Sequence, residues 1–510
     1  MNRSQTNKKY VTSFKRTGRR GRSRKRREKH SSSLSLRRLW LIGGGGFALV
    51  GIVLLFWFLF GRRDNGTLAL QPALPQDPFI QVYFNHSQSA AYTDPYRHQQ
   101  RLGHDLEQLI VDAIASAQVS VDVAVQELQL PRIAHALREK HQRGVPVRVV
   151  LENQYSTSWS EYTAQEIQSL DERSQGDYVE FRQFVDLDGD RHISDDELHA
   201  RDALTILDSA GVPVIDDTAD GSKGSGLMHH KFVIIDKELV LLGSLNFTMS
   251  GVHGDWGSAT SLGNANHLLS ISSPEVAAAF TEEFELLWGD GPGGEEDSQF
   301  GLQKVYRRPQ QITLGSTSHI TVQFSPTSPS RNTWEDSTNG LIGRTLRASQ
   351  HTADLALFVF SAQQLSHILQ HQQQQGVTIR ALIDAGFAYR NYSEALDLMG
   401  VALPDDHCRY GDDNQPWTQP LTTVGVPQLA DGDVLHHKFS VLDRRVIITG
   451  SQNWSQAANT SNDETVLVIE NPTVAAHFQQ EFEQLYATAQ LGVPSWLQDR
   501  IKSQQSRCSP

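Results

Sequence analysis

The chain has 510 residues, of which 38% are hydrophobic and 20% charged, and a formal net charge of −12, enough for two domains or one large duplicated one. Residues 1–38 hold 15 Lys and Arg against a single acid, Glu28, so the remainder, with 31 basic and 57 acidic residues, carries about −26. An acidic body of that size counts against a nucleic-acid partner unless a basic patch lines its cleft.

The basic tract 18–30, GRRGRSRKRREKH, is too polar and too like-charged to fold alone and reads as a disordered arm, 1–38. It is followed by residues 39–60, LWLIGGGGFALVGIVLLFWFLF, an uncharged run long enough to cross a bilayer as a single transmembrane helix. The cluster of basic residues before the run, against Arg62 and Arg63 after it, predicts a cytoplasmic amino terminus and an extracytoplasmic body. A cleaved signal peptide is the alternative, but no clear small-x-small site follows. Residues 61–78, with Pro72, Pro75 and Pro78, read as a linker.

The segment 79–291 begins with a strand, FIQVYF, a helix near 103–117, and a strand, VSVDVAV. A second helix ends at Gly144 before the β-branched run 145–151. After a linker at 292–311, the segment 312–488 repeats the order with HITVQF, a helix near 339–349, ADLALFVF, a helix, and GVTIRALID. AGVPVIDD is answered by MGVALPDD, and SPEVAAAFTEEFELLW by NPTVAAHFQQEFEQLY. Strand and helix in this order, given twice, predict a duplicated α/β domain with a mixed sheet in each half. Residues 489–510 read as a tail, expected to be mobile; whether Cys408 pairs with Cys508 in it stays open.

The most informative stretches are 227–246, LMHHKFVIIDKELVLLGSLN, and 435–453, LHHKFSVLDRRVIITGSQN. Both read H-x-K, four residues, Asp, six residues, Gly-Ser-x-Asn: His229, Lys231, Asp236, Gly243, Ser244, Asn246, and His436, Lys438, Asp443, Gly450, Ser451, Asn453. In an extended segment alternate residues share a face, so His229 stands beside Lys231, while His230 and His437 turn to the opposite face, as core or interface histidines. The returning strand delivers a glycine, expected to admit a ligand close to the backbone, and the hydroxyl and amide donors Ser244 and Asn246. Nucleophile, cation and neutral donors together describe an anion site. Asp236 and Asp443 belong to the motif as candidate catalytic residues, though anchoring the strand turn is the favoured reading. Phe247 and Trp454 follow the asparagines and line substrate access or simply pack.

These two stretches resemble the signature of the phospholipase D superfamily. The resemblance implies two mixed sheets flanked by helices, packed sheet to sheet about a pseudo-twofold axis, with one half-site from each repeat. It implies that one of His229 and His436 attacks phosphorus while the other protonates the leaving oxygen, with no catalytic cofactor. Lys231, Lys438, Ser244, Ser451, Asn246 and Asn453 then hold the phosphoryl oxygens, and one chain suffices as a monomer. Glu464, in SNDETVLVI, follows His436 at the distance and in the strand-start context where the family places the acid that orients a histidine. The aligned residue of the first repeat is Asn266, with Asp255 as a possible substitute, which leaves the nucleophile open. The implied activity is a phosphodiesterase acting on phospholipid. A nuclease acting on DNA or RNA is the rival, a cardiolipin synthase-like transferase is a further alternative, and a calcium-responsive membrane scaffold with a decayed site is the non-enzymatic one.

The first repeat alone carries an insertion containing 186–197, DLDGDRHISDDE. Asp186, Asp188, Asp190 and Glu197 fall at positions 1, 3, 5 and 12, with His192 at the backbone-carbonyl position and Ser194 at position 9. This resembles an EF-hand calcium loop, which implies a structural calcium. The departure is Arg191 where the loop normally has glycine, a position that forces a strained turn on any other residue.

Overall fold

The structure, a computed structural model, describes residues 70–508 apart from 223–225, 406 and 412. The basic arm at 1–38, the expected span at 39–60 and the start of the linker lie outside the described residues. Among the described residues no helix is long and apolar enough to cross a membrane.

The first half contains β1 (Ile80–Phe84), a small hairpin of β2 (Ala91–Thr93) and β3 (Gln100–Leu102), then β4 (Val121–Val125), β5 (Val147–Leu151), β6 (Val214–Asp216), β7 (Lys231–Ile235), β8 (Leu239–Gly243) and β9 (His267–Ser272). Seven of these form one sheet in the order β1-β9-β8-β7-β4-β5-β6, antiparallel from β1 to β4 and parallel from β4 to β6. The second half contains β10 (Gln310–Leu314), β11 (Ser318–Phe324), β12 (Thr352–Leu357), β13 (Thr378–Ile383), β14 (Val424–Val426), β15 (Lys438–Leu442), β16 (Val446–Gly450), β17 (Thr465–Glu470) and β18 (Gln490–Leu491). Its order, β10-β11-β17-β16-β15-β12-β13-β14-β18, reproduces the first sheet and adds one strand at each edge. This is the mixed, duplicated α/β architecture that the repeated element order predicts.

Both faces of each sheet are covered, so the motif strands are apolar throughout rather than alternating. From β7, Phe232 and Ile234 enter a core shared by the two halves, while Val233 and Ile235 enter a core of the first half alone. The helices α1 (Leu106–Ser116), α2 (Pro131–Gln142), α3 (Glu172–Val185) and α4 (Asp195–Arg201) belong to the first half, as does α5 (Pro274–Trp288). In the second half α6 (Thr338–Arg347), α7 (Gln363–Gln374) and α8 (Pro472–Ala487) precede a terminal helix, α9 (Ser495–Cys508). The helices α5 and α8 start alike: Ser273 and Asn471 cap free backbone N–H groups and a proline occupies the first turn, where its missing N–H costs nothing. Phe280 and Phe284 of the one, with Phe478 and Phe482 of the other, fill the shared core. The expected sheet-to-sheet contact is therefore completed by two helices, because their aromatic faces need cover as much as the strands do.

An ion-pair device appears once in each half. Arg148 on β5 bonds Asp122 at 2.7 Å and Glu285 at 2.8 Å, with its guanidinium 4.7 Å from the Phe284 ring centre. Arg380 on β13 bonds Asp354 at 2.7 Å and Glu483 at 2.6 Å, 4.9 Å from Phe482. Each ties a central strand to its long helix at an equivalent place.

Two expectations are corrected. Of the expected tail 489–510, the described part 489–508 is not loose: β18 pairs with β14, α9 follows, and Cys408 is disulfide-bonded to Cys508. The linker 292–311 is anchored too, because buried Lys304 pairs with Asp463 at 2.6 Å and with Glu283, and β10 already begins at Gln310.

Candidate active site

Each motif histidine lies two residues before its strand, and its backbone is bonded to the other half. His229 N–H donates to the Asp463 carbonyl at 3.0 Å, and His436 N–H donates to the Ala265 carbonyl at 3.1 Å. The next residue along each partner segment then reaches the ring. Glu464 lies 2.7 Å from His229 Nδ1, and Asn266 Oδ1 lies 3.0 Å from His436 Nδ1. The supports are therefore crosswise: Glu464, from the second repeat, serves the first histidine. Asp255 is not the substitute for Asn266, since its surroundings are Asp433, Asp177 and Arg97.

The motif serines explain how these supports are held. Ser451 Oγ donates to Glu464 at 2.8 Å, and Ser244 Oγ donates to Asn266 Oδ1 at 2.7 Å. Asn266 Nδ2 donates to the Gly251 carbonyl at 2.9 Å, which fixes the amide with its oxygen toward His436. Both serines are buried, so these hydroxyls are turned from the expected phosphate contacts to orienting the histidine supports. The motif glycines also have a different reason from the one expected. A Cβ at Gly243 would stand 2.0 Å from the His267 carbonyl oxygen, and one at Gly450 2.1 Å from that of Thr465. It is the neighbouring strand that approaches closely.

Lys231 Nζ donates to the His229 carbonyl at 2.9 Å, and Lys438 Nζ to the His436 carbonyl at 2.7 Å. Burial lowers the Lys231 ammonium to about 8 and pushes Lys438 well below its usual range, with Lys231 adding repulsion. Burial and the two lysines likewise hold both His229 and His436 well below the ordinary imidazole range. Glu464 is pushed up to about 7 by its own burial. Cations packed together out of water favour an incoming anion, which relieves their repulsion. A neutral imidazole is the form that attacks, whereas a proton donor needs a protonated ring, a form that an anion bound between the two lysines favours.

Asp236 and Asp443 do not reach this centre. Asp236 accepts backbone N–H bonds from Gln118, Val119 and Ser120, and Asp443 accepts them from Gln350, His351 and Thr352. Both sit at positive φ, 54° and 49°, where a short polar side chain is tolerated. They anchor the turn of the motif hairpin, the favoured reading, and are removed from the catalytic set. Phe247 and Trp454 are 1% exposed and pack in the outer cores. His230 and His437 are fully buried, His230 between Glu283 and Thr465, His437 between Glu481 and His267.

The insertion forms helix, loop and helix, with α3 ending at Val185 and α4 starting at Asp195. Oxygens of Asp186, Asp188 and Asp190 lie within 4.8 Å of one another. Arg191 adopts φ 69°, the turn that glycine usually supplies. Glu197 is held by the N–H groups of Leu187 at 2.7 Å and Ser194 at 2.8 Å, as a helix cap. Three of the expected carboxylates are thus gathered, and the fourth borders them.

Residues 110–288 and 342–486 match the family described as "Cardiolipin synthase, PLD-like domain". The chain belongs to this phospholipase D-like family and carries its domain in both halves. A mitochondrial cardiolipin hydrolase of Homo sapiens is 32% identical over 145 residues, which is 28% of this chain and 48% of the relative. A phospholipase D of Rickettsia felis is 26% identical over 110 residues, 22% of this chain and 44% of the relative. The chain spans about half the length of the curated relatives it matches. A phosphatidylserine synthase of Haemophilus influenzae Rd KW20 has the same fold, with a TM-score of 0.51 at 12% identity over 88% of this chain and 97% of that one.

Proposed function

We propose that the chain is a phosphodiesterase of the phospholipase D type that hydrolyses phospholipids through a phosphohistidine on His229. The observation that carries this is the crosswise support, a carboxylate on His229 and a neutral amide on His436. A carboxylate accepting Nδ1–H leaves the Nε2 lone pair free and stabilises the cation that forms as His229 bonds phosphorus. The weaker amide suits the histidine that must give up its proton. Attack by His229 Nε2 on phosphorus breaks the bond to the departing alcohol, which takes a proton from His436. Water then loses a proton to His436 as its oxygen displaces Nε2, restoring both rings. Lys231, Lys438, Asn246 and Asn453 hold the phosphoryl oxygens.

The names of the relatives support a phospholipid substrate, and the charge of about −26 outside the arm weighs against nucleic acid. Residues 39–60 serve as a membrane anchor, with the amino terminus cytoplasmic and the body outside. The Cys408–Cys508 disulfide supports that placement, since such bonds persist in oxidising compartments. Calcium, held by Asp186, Asp188, Asp190, Ser194, Glu197 and the His192 carbonyl, stabilises the insertion without entering the chemistry. The test is to incubate the protein with mixed phospholipids and, in parallel, with single- and double-stranded DNA. Release of head group with intact DNA is expected, whereas DNA shortening without lipid turnover refutes the lipid reading.

A further inference from the structure

We infer that Glu127 selects the substrate by accepting a hydrogen bond from an amino or hydroxyl group on the diester substituent that lies over the first half of the cleft. The assignment rests on the phosphodiester reading of the site and deepens it.

The strands β4 and β12 occupy the same place in the two sheets, each antiparallel to a motif strand, with Val125 opposite Lys231 and Leu357 opposite Lys438. The next two residues correspond as well. Gln126 N–H bonds the His230 carbonyl as Phe358 N–H bonds that of His437, and the Glu127 and Val359 carbonyls accept from Phe247 and Trp454. Gln126 therefore answers Phe358, and Glu127 answers Val359.

These substitutions give the cleft two unlike flanks. On the first, Gln126 Oε1 accepts from Lys231 Nζ at 3.3 Å, and Glu127 Oε1 accepts from Asn246 Nδ2 at 3.3 Å. The Tyr155 hydroxyl also bonds the Glu127 carboxylate. On the second, the Phe358 ring lies 4.8 Å from His436 and 4.7 Å from Phe387, and Lys438 Nζ lies 4.9 Å from its centre. A phosphodiester with one polar and one apolar substituent fits this division, whereas a polynucleotide is alike on both sides of its phosphate.

Glu127 has no counterpart beside Asn453, because the corresponding residue of the second half is Val359 and Asn453 Oδ1 is buried without a hydrogen-bond partner among the described residues. A half-buried carboxylate beside a phosphate site also opposes the charge the site exists to bind, an opposition to which nearby Asp177 adds and which Arg173 reduces. Its cost is offset when the bound substituent brings an N–H or O–H donor. Burial pushes the Glu127 carboxyl up to about 7, with Lys231 pulling the other way.

The test compares the wild type with Glu127→Gln and Glu127→Val on micellar phosphatidylethanolamine, phosphatidylglycerol and phosphatidylcholine, and on bis(p-nitrophenyl) phosphate. Choline lacks an N–H donor and serves as the contrast to ethanolamine. The ethanolamine-to-choline ratio of kcat/KM should fall about tenfold or more in both variants, chiefly through KM, as expected for one lost bond to a charged acceptor. Melting temperatures identify a variant that fails to fold, and the isosteric Gln variant then decides. A ratio unchanged within about twofold overturns the assignment, and so does an equal loss on all four substrates, which would reduce Glu127 to a prop for Asn246. If the wild type turns over none of the four, the phosphodiester reading itself fails and takes this assignment with it.

Discussion

The unequal histidine supports make a prediction about which half of the reaction each one serves. Glu464 is fully buried, 2.7 Å from His229 Nδ1, and its Gln replacement keeps the shape while removing the charge. A hydrogen bond to a charged group contributes about 1.5–3 kcal/mol. At about 1.4 kcal/mol per decade, that alone is a loss of about 10–100-fold in forming the phosphohistidine. The amide can also present its NH₂ to Nδ1 and impose the wrong tautomer, which in a comparable acid-to-amide change costs about 10⁴. Asn266→Ala removes a neutral bond of about 0.5–1.5 kcal/mol and should cost only about 2- to 12-fold. Rapid acid quench during turnover separates the two. Glu464→Gln should abolish the phosphoprotein burst, while Asn266→Ala should retain it and slow its decay, since His436 activates the water. Thermal melts establish that both variants fold. The reasoning is refuted if Asn266→Ala is the more damaging change, or if the phosphoryl group is found on His436.

Asp236→Asn should lower stability by about 1–2 kcal/mol with kcat nearly unchanged, because its carboxylate serves backbone N–H groups rather than the phosphate. Burial pushes the Asp236 carboxyl up, but those N–H bonds outweigh it and hold it below its usual value. The stability it contributes is present above the ordinary carboxylate range and lost as pH falls, so the melting temperature of the variant should depend less on pH in that range. Calcium should raise the melting temperature of the wild type, by an amount corresponding to about 2.7 kcal/mol at a hundredfold excess over Kd, and Glu197→Gln should flatten that response. Immediate loss of activity on chelation, without unfolding, would instead make the ion catalytic. Protease added to intact cells should digest the body and spare a tag at residue 1; protection of the body would reverse the proposed topology.

What could be read from the chain, and what could not, follows from where the partners of each residue lie. The motif hairpins, the mixed sheets and the paired long helices were legible because their signals are local: strand runs, the answering stretches SPEVAAAFTEEFELLW and NPTVAAHFQQEFEQLY, and spacing within one repeat. The crosswise supports were not legible, because Glu464 is spaced from His436 but bonded to His229, 235 residues away. A duplicated domain hides this by construction: each repeat aligns on itself, while each half-site is completed by the other. The same difference explains the serines. From spacing alone Ser244 and Ser451 are donors near an anion; only the folded chain has Asn266 and Glu464 in front of them. Glu127 was a different kind of omission, since laying VAVQEL over LALFVF sets it against Val359 with the two repeats alone in hand. A repeat is read first for what its copies share, yet one phosphate between two copies has two different ester substituents, and a site that distinguishes them must do so where the copies disagree.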